Sequence, residues 1–178
     1  MPFDSIQLHK TKHVLTHVLT AAVRRRWPVV GTGDSGETRE GFYVDLLLGD
    51  EVDVDAQLGD IAGDMRRVLA ASTRFTALEL SHAAARELFA GNPIKQAWIE
   101  AIAESDQPAR LFDLDGVIDV CNCALKDPLE LRAIDPAGFD LVRAVRLPWR
   151  EHARTLWITR VSGAVAGGLA CDCPLCVA

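Results

Sequence analysis

His9-Lys10-Thr11-Lys12-His13 places two imidazoles four residues apart, and on a helix that spacing stacks them one turn apart on one face. Such a pair can chelate a metal ion, zinc above all, because imidazole nitrogen and thiolate sulfur are its preferred ligands. His17 extends the ladder by another turn. Three imidazoles on one straight stripe cannot all converge on a small ion, so His9 and His13 are the expected ligands and His17 the bystander. The second element is Gly116-Val117-Ile118-Asp119-Val120-Cys121-Asn122-Cys123, where strand alternation sends Asp119, Cys121 and Cys123 to one face and Ile118 and Val120 to the other. A carboxylate and thiols sharing a face could hold a metal or move a proton. A lone cysteine is more often just a small buried apolar residue. The third group, Cys171, Cys173 and Cys176, puts three thiols near the end of the sequence. They suit part of a soft-metal site or a redox pair, with the missing ligand supplied by Cys121, Cys123, water or another chain; otherwise they are a cysteine-rich terminus without a role.

Positioning these residues falls to a recognisable order of elements. Val14, Leu15, Val18, Leu19 and Ala22 recur at helical spacing and predict an amphipathic helix from Leu8 to about Val23. Residues 31–40, rich in Gly, Thr, Ser and Asp, read as a loop, and Gly41 to Leu46 as a strand. A helix is expected over Ala56 to Ser72, a short strand over Thr76 to Leu80, and a helix capped by Ser81 and running through Phe89. Gly91-Asn92-Pro93 breaks that helix before another from Ile94 to about Ile102. Short strands then follow over residues 109–113, 116–121, 139–146 and 155–162. Helices first and strands later predict an α+β fold, an antiparallel sheet with helices packed on one side. One domain over residues 1–168, followed by a cysteine-rich tail over residues 169–178, accounts for the chain.

The whole composition narrows the function. Apolar residues make up 49% of the 178, an ordinary globular share, and no uninterrupted apolar run is long enough to span a membrane. The start lacks a basic and apolar secretion signal, and five cysteines are unevenly placed, so a cytoplasmic chain with reduced thiols is expected. A net charge of −6 argues against a general nucleic-acid binder. It leaves room for a local basic strip, because Arg143, Arg146, Arg150, Arg154 and Arg160 share a segment with a single acid, Glu151. An ordinary solvated face would read the same way.

In order and spacing these motifs resemble the editing domain of threonyl-tRNA synthetase, its second amino-terminal domain. That domain opens on a helix with H-S-x-x-H-L-L-x-H, which His9, His13 and His17 reproduce with Val14-Leu15 between them. Its G-F-Y-Y-D strand is matched by Gly41-Phe42-Tyr43-Val44-Asp45, and its F-x-x-N-x-x-K by Phe89 to Lys95. Its Y-V-D-L-C-R-G-P-H is matched as far as Val117-Ile118-Asp119-Val120-Cys121, and its L-Q-R-I-Y-G-T-A loosely by Ile158 to Ala164.

The resemblance implies a pocket lined by the two helix histidines, the cysteine and a second histidine four residues after it. The related alanine-type editing domains use that set to hold zinc. His9, His13 and Cys121 fall on three of the positions, and the fourth falls on Leu125, which can neither bind metal nor move a proton. Cys123 is the candidate replacement. Lys95 and Asp119 fall on the family's pocket lysine and aspartate, and with Tyr43 they are the expected substrate-binding groups. The implied activity is hydrolysis of a mischarged aminoacyl-tRNA by a freestanding editing domain, Ser-tRNA for threonine first of all, with a cognate synthetase as a further partner. His9, His13, Asp119, Cys121 and Lys95 would do the chemistry, directly or through zinc. The missing histidine keeps two other readings open: acyl transfer from aminoacyl-tRNA to a small nucleophile, and a non-catalytic module binding tRNA or metal. The cysteine-rich tail lies outside the resemblance.

Overall fold

Helix α1 (Ser5–Arg26) is buried over most of its circumference, its polar residues His9, Lys12, Thr16, His17 and Thr20 included, so it must be covered on several sides. It is. Leu8, Leu15, Val18, Leu19 and Val23 are all buried, and α1 packs against α2 (Leu58–Ala71), against strands β1 (Gly31–Glu37) and β2 (Gly41–Leu47), and against β4 (Ala109–Leu114) and β5 (Val117–Val120). The computed structural model describes residues 5–49, 51–121, 131–151 and 154–166. Cys123, Leu125, Cys171, Cys173 and Cys176 lie outside the described residues, as does the expected tail over residues 169–178.

The fold is α+β, with two antiparallel sheets where the sequence predicts one. The first has the order β1-β2-β7-β6, closed by a long hairpin of β6 (Phe139–Glu151) and β7 (Arg154–Val165). The second has the order β3-β4-β5, beginning with β3 (Phe75–Leu80). Its tight hairpin turns through Asp115 and Gly116, both at positive φ, the geometry that an Asp-Gly pair supplies. Two cores form. The larger joins α1 and α2 to the first sheet through Phe42, Val44, Leu46 and Val161. The smaller lies under α3 (His82–Leu88) and α4 (Pro93–Glu104), where Phe89, Ile99 and Ile102 meet Leu111 and Val120. Because Leu111 and Val120 are register partners, their neighbours Phe112 and Asp119, also partners, face the other way, towards α1.

The strand β1 replaces the predicted loop. Its Gly and Ser content reads as irregular, but Gly33 is there for space: a Cβ on it would stand 2.8 Å from the Ile94 Cδ1 and 3.1 Å from the Asp45 Cβ. A side chain at this position would have to displace the terminal methyl of Ile94, which α4 lays over the strand. Ser81 caps α3 as expected, its Oγ accepting from the Ala84 N–H, and Asn92, read only as part of a helix break, caps α4, its Oδ1 accepting from the Ile94 and Lys95 N–H groups. Asn92 also donates from its amide to the Thr32 carbonyl at 2.7 Å, tying the start of α4 to β1.

Candidate functional site

The register of β5 decides which histidines meet the cysteine. Cys121 follows the last strand residue, its N–H donates to the Arg110 carbonyl, and its side chain continues the Phe112–Asp119 face towards α1. There its Sγ lies 3.2 Å from the His13 Nε2, and the His17 Nε2 lies 3.2 Å from the same nitrogen. The ligand atoms of His13, His17 and Cys121 all fall within 4.8 Å of one another. His17, expected as a bystander, is therefore the second imidazole of the cluster. The strand approaches the turn of α1 between residues 13 and 17, one turn further along than the sequence suggests, and leaves His9 outside the group of three. His9 is itself buried, at 8% exposure, and near enough to Glu37 to act on its charge.

Glu37 orients the cluster. Its Oε1 is 2.6 Å from the His13 Nδ1, and both side chains are largely buried. Burial alone would raise the Glu37 pKa, but the hydrogen bond from His13, then the charges of His13 and His9, hold it below its ordinary value. An ionised Glu37 fixes the proton on the His13 Nδ1 and leaves the Nε2 lone pair facing Cys121 and His17, the arrangement by which carboxylates orient metal-binding histidines. His17 is packed against Phe112, with ring centroids 4.7 Å apart, and against Phe75 at 5.8 Å. Burial above all, then the charges of His13 and Lys95, push its pKa well below the ordinary histidine value, so His17 is neutral.

Two imidazoles and a thiol, once the His13 Nε2 and the Cys121 Sγ are free of protons, are a donor set of the kind that holds a metal ion with a fourth position open. Tetrahedral geometry with zinc bond lengths sets ligand atoms about 3.3 to 3.6 Å apart. The separations of 3.2 Å from His13 to each partner are close to that, and the third pair lies within 4.8 Å, so the three side chains could hold a metal ion between them.

Beside the cluster lies a buried ion pair. Lys95, in the first turn of α4, is fully buried, and its Nζ is 2.7 Å from the Asp119 Oδ1 on β5. By distance this is an ion pair, yet the ammonium has hydrogen-bond alignment with no acceptor. Its donors therefore remain unused, while Asp119 Oδ1 also accepts from the Val120 N–H. The indole of Trp98 lies 5.3 Å from the Lys95 Nζ. Since the Lys95 charge acts on both His17 and Asp45, the pair links the cluster to the first sheet.

On that sheet Asp45, 1% exposed, accepts two hydrogen bonds from Arg160 on its register partner, at 2.7 and 2.8 Å. The guanidinium lies over the Tyr43 ring at 4.0 Å, and the Tyr43 hydroxyl donates to Asp34 Oδ2 at 2.9 Å. Burial, then the Asp34 carboxylate, push the Tyr43 pKa well up, so its hydroxyl is a donor and not a base.

The sequence reading missed two residues of this arrangement. Glu37 fell in the supposed loop, with no pattern to single it out. Lys12 could have been found, because it occupies the apolar stripe of Leu8, Leu15 and Leu19 at spacings of four and three. It is fully buried, and its Nζ donates to the Thr38 and Arg39 carbonyls at 2.9 and 2.6 Å, which holds the β1–β2 turn beside Glu37.

Nearly all of the chain is similar to part of the threonine–tRNA ligases. The ligase of Borreliella afzelii is 28% identical over 160 residues, which cover 89% of this chain and 26% of the ligase. That of Halobacterium salinarum is 28% identical over 153 residues, 85% of this chain and 23% of the ligase. That of Treponema pallidum is 29% identical over 156 residues, 88% of this chain and 26% of the ligase. The chain thus spans about a quarter of the length of the relatives it matches. No protein-family model matches it. The similarity bears out the resemblance to threonyl-tRNA synthetase that the order of motifs carries.

Proposed function

We propose that the chain is an aminoacyl-tRNA deacylase that hydrolyses a mischarged ester, Ser-tRNA for threonine, where α1, α4 and β5 meet. The observation that carries this reading is the meeting of His13, His17 and Cys121 beside the buried Lys95–Asp119 pair, in a chain similar to a part of threonine–tRNA ligases. Such an activity answers a physical need. A missing methyl group discriminates by only about 1 to 3 kcal/mol, so a ligase that selects threonine also charges serine and requires a second sieve.

In this reading Lys95 and Asp119 hold the polar end of the substrate, the amino acid's amine and hydroxyl or the terminal ribose, and place the ester carbonyl against the histidines. Water attacks the carbonyl carbon while the Nε2 of His13 takes a proton from it, and the Glu37 carboxylate on Nδ1 steadies the positive charge that the imidazole gains. The acyl–oxygen bond breaks, and that proton passes to the departing ribose oxygen. Zinc held by His13, His17 and Cys121 would occupy that Nε2 and take the place of the His13 base, since it would itself polarise the carbonyl and lower the pKa of the attacking water. His9 stands a turn away as a source of charge on Glu37, and Tyr43 as a donor to the sheet side of the site. Acting on a soluble RNA ester with a reduced Cys121, the enzyme would work in the cytoplasm, alongside a synthetase. Among the described residues no helix is long and apolar enough to cross a membrane.

Incubating the purified protein with Ser-tRNA and Thr-tRNA for threonine tests the reading. Faster loss of serine supports it, and loss of neither above the buffer rate overturns it. The substitution of Leu125 at the position of the family's second histidine favours one alternative, acyl transfer to a small nucleophile. Release of the amino acid only when a primary amine or thiol is added would establish that instead.

A further inference from the structure

The β6–β7 hairpin outgrows its sheet. β2 pairs with β7 only as far as Thr159, so from Leu147 and Ile158 outward the hairpin is a two-stranded ribbon. Its two faces differ. Register partners share a face, which puts Val145, Leu147, Trp149, Leu156 and Ile158 on one side, all half-buried or buried. The other side carries Arg146, Pro148, Arg150, Thr155, Trp157 and Thr159, without an acid among them, and all but Thr159 are exposed. Trp157 is 53% exposed on this outer face although the ribbon has an apolar inner face that could have taken an indole. Arg146 stacks over it, with the guanidinium carbon 4.8 Å from the ring centroid.

We infer that the outer face of this ribbon binds single-stranded RNA, with a base stacked on Trp157 and backbone phosphates against Arg146 and Arg150. Arg146 and Arg150 are four residues apart, about 13 Å along a strand, and Trp157 lies opposite Pro148, midway between them. An aromatic platform flanked by cations is how proteins hold single strands without reading their sequence. On a chain of net charge −6, a strip whose own described residues include no acid directs a polyanion to one place. The lone indole offers too little apolar area to anchor in a membrane, and an acidic protein surface would need the arginines but not the indole. The inference rests on the reading that the substrate is an RNA ester, and it assigns the part of the chain that would hold the RNA strand away from the reacting bond.

The test is fluorescence anisotropy of the full chain with a labelled, uncharged single-stranded oligoribonucleotide. Trp157→Ala is expected to weaken binding about fivefold or more, and Trp157→Phe to retain most of it. Arg146→Gln with Arg150→Gln should lower the slope of log affinity against log salt by about 1.4, the value for two phosphate contacts on a single strand. Unchanged affinity in Trp157→Ala overturns the inference, as does competition by polyglutamate or anionic vesicles as effective as that by unlabelled RNA. Should Trp157→Ala melt early, the arginine pair decides, and an unchanged salt slope overturns it. Because the RNA is uncharged, no turnover enters the measurement. Binding through Trp157 in a protein that deacylates nothing would sink the hydrolase reading alone, whereas deacylation with unaltered binding by the variants would sink this one alone.

Discussion

The side chains that converge between α1 and β5 combine low solvent exposure with charge, and that combination sets what each substitution should do. Lys95 and Asp119 are 0% and 4% exposed, so Asp119→Ala leaves an ammonium buried without its counter-ion. Loss of about 3 to 5 kcal/mol of stability is expected, measured by urea denaturation, where the double variant Lys95→Met with Asp119→Leu should recover much of it. His17 gives the protein a pH dependence in its metal-free form. Its folded pKa lies below the ordinary 6.5, so below about pH 6.5 the unfolded chain takes up a proton that the buried imidazole does not. Stability is then full above pH 6.5 and falls as pH drops towards the lowered value. Glu37, held below its ordinary 4.5, adds a further loss beneath that pH. Melting with chelator present should therefore fall between pH 7 and pH 5, and His17→Gln should flatten that part of the curve; an equal slope in both proteins would contradict the account. At this scale residue type and spacing made His13, Asp119 and Cys121 candidates, whereas Lys95 and its pairing with Asp119 entered only through the resemblance to the editing domain. The sequence did not make the choice between His9 and His17 legible, since spacing on a helix says which residues share a face and not which turn the partner strand will meet.

Strands and helices were largely readable from periodicity and punctuation, and the exceptions have a common cause. β1 looks like a loop because its glycines and serine are loop residues, yet Gly33 is favoured by Ile94 of α4 lying over it, a tertiary contact invisible in local pattern. The two sheets looked like one because alternation reveals faces and not partners. The bulge between Leu141 and Arg143, which shifts the register of β6, is likewise unsigned in the sequence. Close approach also governs β2 and β7, where a Cβ on Gly41 would stand 1.8 Å from the Gly163 carbonyl oxygen. Gly41→Ala should thus part the two strands and cost about 2 kcal/mol or more, seen as a lowered melting temperature with loss of tertiary circular dichroism. Lys12→Met tests the α1 to β1 connection in a different way. It keeps the volume but removes both hydrogen bonds to the Thr38 and Arg39 carbonyls, so about 1 to 3 kcal/mol should be lost and Glu37 should no longer be held against His13. A variant as stable as the parent would show that the turn needs no such anchor.

The molecule as a whole places its chemistry at a junction. His13 and His17 come from the central helix, Glu37 from the first sheet, Asp119 and Cys121 from the second, and Lys95 from the helix that spans them. Neither of the two cores contains the site by itself, so the site is complete only when both sheets are docked on α1. A ligand that binds this site alone should stabilise the whole chain, by about 2.7 kcal/mol at a hundredfold excess over its dissociation constant. The most direct trial of the central claim is single-turnover deacylation of Ser-tRNA and Thr-tRNA for threonine, by the parent protein and by Cys121→Ala, His13→Ala and Lys95→Ala checked for folding. The account expects serine to be released faster than threonine, with each substitution slowing release about a hundredfold or more. Equal release of serine by the parent and by folded Cys121→Ala and His13→Ala variants would show that the ester is cleaved somewhere else.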